Sequence, residues 1–561
     1  MSGLNLLVFR EDRRRASGKE LKAALTAQLE QACGHFSQRT LLGALLQAGE
    51  LECSVADNDP EPARCYELVT DQIAGALLAG EPTAANNSDF HPTDFHPLLA
   101  SIRALPVFQQ LSISTPEGFA YYALHPLAYA DVIRQISVCD HLLVVGIRSI
   151  GATLSAIAAA TARARGIAVE RITVRPQGHP YNRTVEFATE QMAAVGRAMS
   201  LGASVAVVDE GPGLSGSSFL AVAEALERAG VPVEKIVLIS SHEPNVDALC
   251  AENAVRRWQR FCCIPVSNEA RRPAEAVEFI GGGQWRSRAF ANESEWPAAW
   301  TSFERLKYLS LNTGNGEHRL FKFAGLGHYG NAVFEREKRV AAGGFGPMPR
   351  EESDGFVSYP WLSSAQRSAR PLSSSDLSEK ILARLAEYCA FRRRAFTVEL
   401  SNLDALQKMA QHNLRELGFD WSVELRLEHP VIADGRMQPH EWLLNTEGKL
   451  LKTDSGSHGD DHFFPGPTDI AWDLAGAIVE WKMNDEQRTE FLDRYHRTAK
   501  DDASARIDGF VKAYTVFRLA YCLMAANAMN GSDEQLRLQR AAAEYRAALT
   551  CMHTNALSVV V

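Results

Sequence analysis

Short apolar runs alternate with helical stretches between residues 140 and 240, and this alternation restricts the possible folds more than any other feature. Residues 142–146, 205–208 and 236–239 are almost entirely aliphatic and too short to be buried helices. Strands that are apolar on both faces and separated by helices are typical of a parallel sheet covered on both sides. The sequence therefore predicts an α/β domain whose functional loops follow the carboxyl ends of the strands.

Bulk composition excludes several classes of protein. The chain has 561 residues, which favours two or three domains, and its 46% hydrophobic and 22% charged content is typical of a globular protein. The net charge of −10 argues against nucleic acid or an anionic membrane as a partner. No apolar run approaches the ~20 residues of a membrane span. Ten scattered cysteines without metal-binding spacing, and no export signal, predict reduced thiols and a cytoplasmic location.

Changes of pattern along the chain predict four segments. They are a mixed, mostly helical region that completes the first domain (1–135), an α/β domain (136–265), a junction rich in Gly, Arg and Trp (266–302) and an α+β domain (303–561). We therefore expect two domains of different architecture, and the sequence leaves open whether the chain forms oligomers.

Residues 205–218 have the parts of a phosphate-binding loop. A buried strand runs into two acidic residues, then a glycine-rich turn, then a helix that starts near Ser217. Carboxylates at a strand end can accept hydrogen bonds from ribose hydroxyls, and glycines let backbone amides approach a phosphate. The helix N-terminus adds free amides and the positive end of its dipole. The predicted ribose-phosphate-binding residues are Asp209, Glu210, Gly211, Gly213, Leu214, Ser215, Gly216, Ser217 and Ser218.

This loop resembles the phosphoribosyl pyrophosphate motif of type I phosphoribosyltransferases, and the resemblance covers about residues 135–265. In that family an apolar strand leads to two acidic residues, here Asp209 and Glu210, and a hydroxyl-rich loop, here residues 215–218. The resemblance implies that phosphoribosyl pyrophosphate or a ribose 5-phosphate nucleotide binds with Mg²⁺. It further implies a glycosyltransferase that transfers the pentosyl group to a base-like acceptor in nucleotide metabolism.

Two upstream loops extend the resemblance, because each follows a predicted strand and contains arginine. The residues implied are Arg148, Ser149 and Arg175 for pyrophosphate, and His179 and Arg183 for a mobile loop over the substrate. Transfer of this kind depends on positioning and charge neutralisation more than on a dedicated base. No catalytic residue is therefore assigned.

A second group of motifs lies in the C-terminal half. A GxGxxG spacing is followed by an Asp-x-Gly and then by Trp-Asp-Leu-Ala. Over about residues 303–555 this order is similar to the aminoglycoside phosphotransferase branch of the kinase-like fold, which implies ATP as a further ligand. The residues implied are Gly325, Gly327 and Gly330 over the nucleotide phosphates, Asp454 on Mg²⁺ and Asp473 bracing the catalytic loop.

The catalytic loop departs from the pattern of that family. Aligned on the following strand, Met437 stands where the catalytic aspartate belongs and Trp442 where the metal-binding asparagine belongs. Neither side chain accepts a proton or binds a hard cation. His440 and Glu441 are the neighbouring substitutes, so the sequence predicts a degenerate kinase-like domain.

Two charged stretches are predicted to be solvated surface. Residues 392–394 are three arginines within a helical stretch, which is typical of a solvated helix face. Residues 458–462 combine two histidines and two aspartates, as a metal site would, but they follow Asp454 in a loop region. A solvated loop is the favoured interpretation.

Three functions are compatible with these patterns. The favoured one is a phosphoribosyltransferase with an appended kinase-like domain. The second is a non-enzymatic sensor of a nucleotide or phosphoribosyl pyrophosphate with a pseudokinase-like C-terminal domain. The third is a small-molecule kinase whose modified catalytic loop uses His440 or Glu441.

Overall fold

The structure is a computed structural model. It describes residues 4–11, 13–34, 37–81, 95–137, 139–267, 271–310, 318–362, 369–399, 401–445 and 447–560. The two largest sheets within these residues are a five-stranded parallel sheet and a five-stranded antiparallel sheet. The protein is therefore a mixed α/β protein, as the sequence predicts.

The N-terminal region is mostly helical. Its elements are β1 (Arg13–Ala16), α1 (Gly18–Gly34), α2 (Gln38–Asn58), α3 (Pro60–Ala79), α4 (His96–Ala104), β2 (Leu111–Ser114), α5 (Glu117–Ala120) and α6 (Pro126–Gln135). Helix α2 contacts α1, α3 and, in the next part of the chain, the helix at Gly151–Ala164. Most of α2 is therefore buried.

The parallel sheet follows. Its region contains β3 (His141–Ile147), α7 (Gly151–Ala164), β4 (Ala168–Val174), β5 (Gln177–His179), β6 (Asn182–Thr184), α8 (Thr189–Ser200), β7 (Ser204–Val208), α9 (Ser217–Arg228), β8 (Ile236–Ser240), α10 (Ala254–Trp258) and β9 (Cys262–Pro265). The strand order is β4-β3-β7-β8-β9 with all pairs parallel. The predicted parallel sheet is confirmed. Strands β3 and β7 are buried on both faces, which explains their unbroken apolar runs.

A buried ion pair joins the N-terminal helices to this sheet. Arg171 on β4 donates to the Glu52 carboxylate on α2 through two nitrogens, at 2.7 and 3.1 Å. Arg171 Nε also lies 2.6 Å from Asp71 on α3. Because Glu52 is fully buried, loss of Arg171 would leave its carboxylate as an uncompensated charge in the interior.

The C-terminal half has a sheet followed by helices. Its elements are β10 (Glu278–Phe279), α11 (Arg286–Ala289), β11 (Lys307–Leu309), β12 (Arg319–Phe323), α12 (Gly327–Ala342), β13 (Arg350–Glu351), β14 (Phe356–Pro360), β15 (Ala369–Pro371), α13 (Glu379–Ala395), α14 (Leu403–Glu416), β16 (Pro430–Val431), β17 (Trp442–Asn445), β18 (Leu450–Lys452), β19 (Thr468–Asp469), α15 (Ala471–Glu480), α16 (Asp485–Ala499), α17 (Ile507–Ala528) and α18 (Asp533–Val560). The antiparallel sheet has the order β10-β11-β12-β14-β13.

Two segments that precede residue 303 pack against the C-terminal half. Strand β10, within the sequence segment 266–302, pairs with β11 of the antiparallel sheet. At the start of the chain, Leu6 and Val8 lie in the same core as the C-terminal helices. The backbone N–H of Leu7 donates to Asn413 on α14 at 2.8 Å.

None of the described helices is both long enough and apolar enough to cross a lipid bilayer.

Candidate functional site

A cleft between the antiparallel sheet and the strands β17 and β18 is lined by both charged and apolar side chains. It has two adjoining parts, which we call the apolar compartment and the cationic compartment. The apolar compartment is lined by Leu320, Tyr359, Pro360, Trp361, Leu362 and Leu443. The cationic compartment is lined by Arg305, Arg436, Arg518, Trp300, Phe303 and Tyr521. Both compartments are bordered by Trp285, Lys307, Lys322, His440, Glu441 and Asp454, which we call the shared wall.

Lys322 and Asp454 form an ion pair at the shared wall. Lys322 extends from β12, and its Nζ donates to Asp454 Oδ1 and, at 3.1 Å, to Ser457 Oγ. Burial, together with the neighbouring Lys307 and Arg305, lowers the pKa of Lys322, whereas the charges of Glu337 and Glu441 oppose that shift. An ammonium in such a place gains from any further anion that enters the cleft.

The backbone at Asp454 is unusual. Its φ of 53° lies in the left-handed region, which non-glycine residues rarely adopt. Aspartate tolerates this conformation better than most residues, and such conformations accumulate at functional sites. The turn directs the Asp454 carboxylate toward Lys322 on one side and toward His458 Nε2, 3.1 Å away, on the other.

Glu441 supplies a second carboxylate to the shared wall. Its Oε2 accepts from Thr453 Oγ1 at 3.1 Å, and its backbone oxygen accepts from the Thr453 N–H at 2.8 Å. Burial alone would raise the pKa of Glu441, but the positive charge of Lys452 leads the groups that lower it to about 2. Glu441 is therefore ionised at neutral pH. It is also one residue from Trp442, the position that the sequence alignment assigned to a metal ligand.

His440 is a neutral member of the shared wall. Burial lowers the pKa of His440 to about 4, so its ring carries no charge at neutral pH. The ring stacks on Trp285 with 6.3 Å between centroids and an angle of 26° between planes. It can accept a proton only as a weak base.

The loop at residues 458–462 is not the solvated loop that the sequence predicts. Asp461 and His462 are buried and line the cationic compartment. His458 lies between two carboxylates, with Nε2 3.1 Å from Asp454 and Nδ1 3.2 Å from Asp461. The sequence analysis treated this loop as distinct from the site at Asp454. In the structure a short turn brings His458 of the loop into contact with the Asp454 carboxylate.

Met437 and Trp442 lie in the hydrophobic core. Both are almost fully buried, at 0% and 1% exposure, so neither faces the cleft. The backbone of their loop is braced by Asp473 on α15, whose carboxylate accepts from the N–H groups of Asp434 and Gly435 at 2.8 to 3.1 Å. This is the bracing contact that the sequence resemblance implied for Asp473.

Gly325, Gly327 and Gly330 lie outside both compartments. They surround the start of α12, and the Leu326 N–H donates to the Phe119 oxygen at 2.9 Å. A Cβ at Gly327 would meet Leu46 and Gly43 of α2, and one at Gly330 would clash with the Gly325 oxygen. Gly327 therefore allows close packing between α12 and α2, and Gly330 allows the tight turn that begins α12.

The segment 281–285 is a part of the site that sequence reasoning did not identify. It connects β10 to α11, and Gly282 and Gly283 have positive φ angles of 60° and 82°. Glu304 holds it in place by accepting from the Gly283 N–H at 2.7 Å and from Trp285 Nε1 at 2.8 Å. The three consecutive glycines shortly before Trp285 could have indicated this part of the site, since a glycine-rich turn can fold over a ligand.

The predicted phosphate loop is closed in this structure. Ser215 Oγ and Ser217 Oγ both donate to the Pro180 oxygen, at 2.8 and 2.5 Å. Pro180 lies in the turn between β5 and β6. The hairpin of these two strands contains His179 and Arg183, the residues of the predicted mobile loop. Glycine is required at Gly216, where the φ angle is 67° at the start of α9. The hydroxyls that were expected to bind phosphate are therefore satisfied by the hairpin.

The acidic pair lies at the carboxyl end of β7, as predicted. Burial raises the pKa of Asp209 to about 7 and that of Glu210, with help from the Asp209 charge, to about 8. Glu210 Oε2 accepts from the Gly118 N–H at 3.1 Å. Gly211 is half-buried, whereas Gly213 and Leu214 are exposed and Ser218 is half-buried in the first turn of α9.

The predicted pyrophosphate residues already contact a protein carboxylate. Arg148 Nε lies 3.2 Å from Asp57 on α2, and Arg175 Nε donates to the same carboxylate at 3.2 Å. Ser149 is half-buried in the turn that precedes α7. In the hairpin the Tyr181 N–H donates to His179 Nδ1 at 3.2 Å. Its Arg183 donates to the Gly178 oxygen at 2.9 Å.

One further set of potential metal ligands is present among the described residues. Glu428, His429 and Asp501 have ligand atoms within 4.8 Å of one another. Arg506 lies between them, with Nη2 2.6 Å from Asp501 and Nη1 3.2 Å from Glu428. The guanidinium supplies the positive charge that a metal would, so this set is an ion-pair cluster.

Comparisons with known proteins find similarity to solved structures of kinases. No protein-family model matches the sequence, and no curated protein matches it. Choline kinase LicA from Streptococcus pneumoniae is 15% identical, with 43% of this chain and 90% of that chain covered and a TM-score of 0.28. A choline/ethanolamine kinase family protein from Mesorhizobium loti is 16% identical, with 43% and 84% covered and a TM-score of 0.30. An ethanolamine kinase from Plasmodium vivax is 12% identical, with 42% and 79% covered and a TM-score of 0.29.

The predicted enzyme class, a glycosyltransferase that transfers a pentosyl group, is wrong. The similar structures named above are of kinases and not of glycosyltransferases. Within the chain, the hydroxyls of the predicted phosphate loop are bonded to Pro180, and Asp57 pairs with both arginines that were expected to bind pyrophosphate.

Proposed function

We propose that the cleft of the C-terminal half binds a nucleoside triphosphate and that the protein transfers its terminal phosphoryl group to a small molecule. The observation that carries this proposal is the convergence of one buried ammonium, Lys322, with two carboxylates, Asp454 and Glu441, on a wall shared by two compartments. Phosphoryl transfer needs these groups, because it depends on positioning and on neutralising the charge of the phosphate oxygens.

The two compartments suit the two substrates. The apolar compartment has flat aromatic and proline surfaces from Tyr359, Pro360 and Trp361, against which a purine or other base can pack. A nucleotide bound there would direct its phosphates toward Lys322 at the shared wall. The acceptor would then occupy the cationic compartment and approach the terminal phosphate from the opposite side.

The donor set at the shared wall fits Mg²⁺. Asp454 and Glu441 offer carboxylate oxygens, the ligands that this hard cation prefers, and both belong to neighbouring segments joined through Thr453. Bound there with the nucleotide, Mg²⁺ would supply charge neutralisation for the phosphate oxygens. Lys322 is paired with Asp454 in this structure. If Mg²⁺ bound the Asp454 carboxylate, Lys322 could donate to a phosphate instead.

No strong base faces the acceptor side among the described residues of the shared wall. Met437 is in the core, and the pKa of His440, lowered to about 4 by burial, leaves it a weak proton acceptor. In a loose transition state for phosphoryl transfer, catalysis depends on positioning and charge neutralisation, so a strong base is not needed. We therefore assign His440 to acceptor positioning and weak proton acceptance.

The substitution Lys322→Met tests nucleotide binding. We expect Mg²⁺-ATP to bind the wild-type protein and to bind the variant about tenfold or more weakly, because one charge-assisted hydrogen bond contributes roughly 1.5–3 kcal/mol. Isothermal titration calorimetry on the whole chain gives both dissociation constants.

Lys338→Met is the matched control for this measurement. Lys338 lies on the exposed side of α12, where it pairs with Glu335 at 2.9 Å, and it is remote from the shared wall. The dissociation constant of the Lys338→Met variant for Mg²⁺-ATP should equal that of the wild type. Failure of the wild type to bind Mg²⁺-ATP would refute the proposal.

A second candidate function is binding of ribose 5-phosphate, or a nucleotide that contains it, at the parallel sheet as a sensed ligand. The strand order reverses between β3 and β7, and ligands of such sheets bind in the crevice at that point. The crevice is flanked by Arg148 and by the carboxylates Asp209 and Glu210. Binding would require the hairpin of β5 and β6 to release Ser215 and Ser217.

Ser217→Ala tests this second function. If ribose 5-phosphate binds here, its dissociation constant should rise about three- to tenfold in the variant, because one neutral hydrogen bond contributes about 0.5–1.5 kcal/mol. Ser200→Ala, on the exposed end of α8, should bind as the wild type does. Equal affinities of all three proteins in calorimetry would exclude the loop as the binding site.

A further inference from the structure

We infer that the second substrate of the cleft is an anionic small molecule whose carboxylate or phosphate group is bound by Arg436 in the cationic compartment, beside Arg518 and Arg305. This inference rests on the proposed phosphoryl transfer, because it concerns the acceptor side of the same cleft. The charge of the acceptor defines the substrate class, and Arg436 is the residue that determines specificity for it.

Arg436 is a half-buried guanidinium that lacks an internal counterion. Within the described part of the chain, no carboxylate oxygen lies within 4.0 Å of its nitrogens, although Asp461 and Glu441 are near enough to influence it. Its guanidinium lies over the ring of Tyr521, 5.8 Å from the centroid. The Tyr521 hydroxyl is one hydrogen-bond partner of this guanidinium, and none of the described carboxylates is paired with it. A planar guanidinium that lines a cavity in this way is suited to bind a carboxylate or phosphate with two parallel hydrogen bonds.

Two more guanidiniums increase the positive potential at the same place. Arg518 is buried beside Tyr521, 5.0 Å from its ring centroid, and its Nε is 3.3 Å from Glu480. Arg305 is buried and donates to the backbone oxygens of Ala324, at 2.8 Å, and Ala120, at 3.3 Å. Like charges brought together in the interior repel one another, so an entering anion relieves this repulsion and a cation increases it.

Four acidic residues line or border the cationic compartment, and each already contacts a protein group. At the shared wall, Glu441 accepts from Thr453 and Asp454 accepts from Lys322. Glu304 accepts from the Gly283 N–H and from Trp285 Nε1. Asp461 accepts from the Phe463 N–H at 2.9 Å and lies 3.2 Å from His458. These carboxylates are therefore held by neighbouring protein groups, whereas Arg436 lines the compartment with no described carboxylate paired to it.

The geometry also suits the transfer. Arg436 and Arg518 line the cationic compartment but not the apolar one, whereas Lys322, Glu441 and Asp454 border both. An acceptor held by its anionic group at Arg436 would thus extend toward the shared wall, where the terminal phosphate of the nucleotide is proposed to lie. Its phosphorylated group would be a hydroxyl that reaches this wall.

The test uses the whole chain and four small probes of similar size in calorimetry, with and without Mg²⁺-ATP. Glycerate and glycerol 3-phosphate are the anionic probes, glycerol is the neutral one and ethanolamine is the cationic one. We expect one or both anions to bind at least tenfold more tightly than glycerol and ethanolamine, and their relative affinities distinguish a carboxylate site from a phosphate site. The preferred anion should bind Arg436→Gln at least tenfold more weakly, whereas Mg²⁺-ATP should bind that variant as it binds the wild type.

Arg426→Gln is the matched control, since Arg426 is exposed ten residues earlier in the chain and pairs with Glu424 at 3.1 Å. If Arg436→Gln does not fold, Arg436→Lys retains the charge but loses the two-pronged geometry and should still weaken anion binding. Preference for ethanolamine, or equal anion affinity in wild type and Arg436 variants, would overturn the inference while leaving ATP binding intact. Loss of ATP binding in the wild type itself, with anion binding retained, would instead refute the proposed phosphotransferase function.

Discussion

Asp454→Asn should reduce phosphoryl transfer from ATP by about 10²–10³-fold while leaving the fold intact. The substitution preserves the shape of the side chain, but it removes the charge that pairs with Lys322 and that would hold Mg²⁺. Loss of one preorganised electrostatic contact of this kind costs rate rather than substrate binding alone. The measurement is the rate of ADP formation at saturating ATP with an anionic acceptor.

The control for this variant is Asp493→Asn, at an exposed position of α16 far from the cleft. It should transfer phosphate at the wild-type rate, and both variants should melt within a few degrees of the wild type. An Asp454→Asn protein that retains more than a tenth of the wild-type rate would contradict the role assigned to this carboxylate.

Arg392→Met should lower the free energy of unfolding of the C-terminal half by about 3–5 kcal/mol. Arg392 is 0% exposed and donates to the Tyr388 hydroxyl, to the Ser455 oxygen at 2.8 Å and to the Ile432 oxygen at 2.9 Å. Its guanidinium also lies 3.6 Å from both Asp434 and Asp473. Methionine fills much of the volume but leaves these two buried carboxylates with less positive charge.

Chemical denaturation of the two proteins gives this difference, with Arg394→Met as the matched control. Arg394 lies two residues along α13 and is exposed, so its replacement should change the free energy of unfolding by less than about 0.5 kcal/mol. Equal stability of Arg392→Met and Arg394→Met would show that the buried cluster around Asp434 does not depend on this arginine.

The same helix shows what local patterns miss. Three consecutive arginines predict a solvated face, and that interpretation is wrong for Arg392, because a helix turns by about 100° per residue and brings one arginine of three to the core side. Asp434 and Asp473, its buried counterions, are 42 and 81 residues away in sequence. No window of sequence contains both partners, so burial of this charge could not be predicted locally.

The sequence predicted the parallel sheet well because its information is local. Unbroken apolar runs at 142–146 and 205–208 became β3 and β7, and the helical spacing at 217–229 became α9. The acidic pair at residues 209 and 210 likewise followed its strand as expected. The pattern could not predict that the loop at residues 211–218 is closed, because the closing contact comes from Pro180 in a separate hairpin.

By itself, the amino-acid sequence determined the alternating strands and helices and the place of the acidic pair after a buried strand, because each depends on neighbours within a few residues. Only the tertiary structure decided which charged groups share a cavity. It brought Lys322, Glu441 and Asp454 from three segments to one wall, and it directed Arg436 into the adjoining space. Charges interact through space at distances of a few ångströms, whatever their separation along the chain, so the site is a property of the fold.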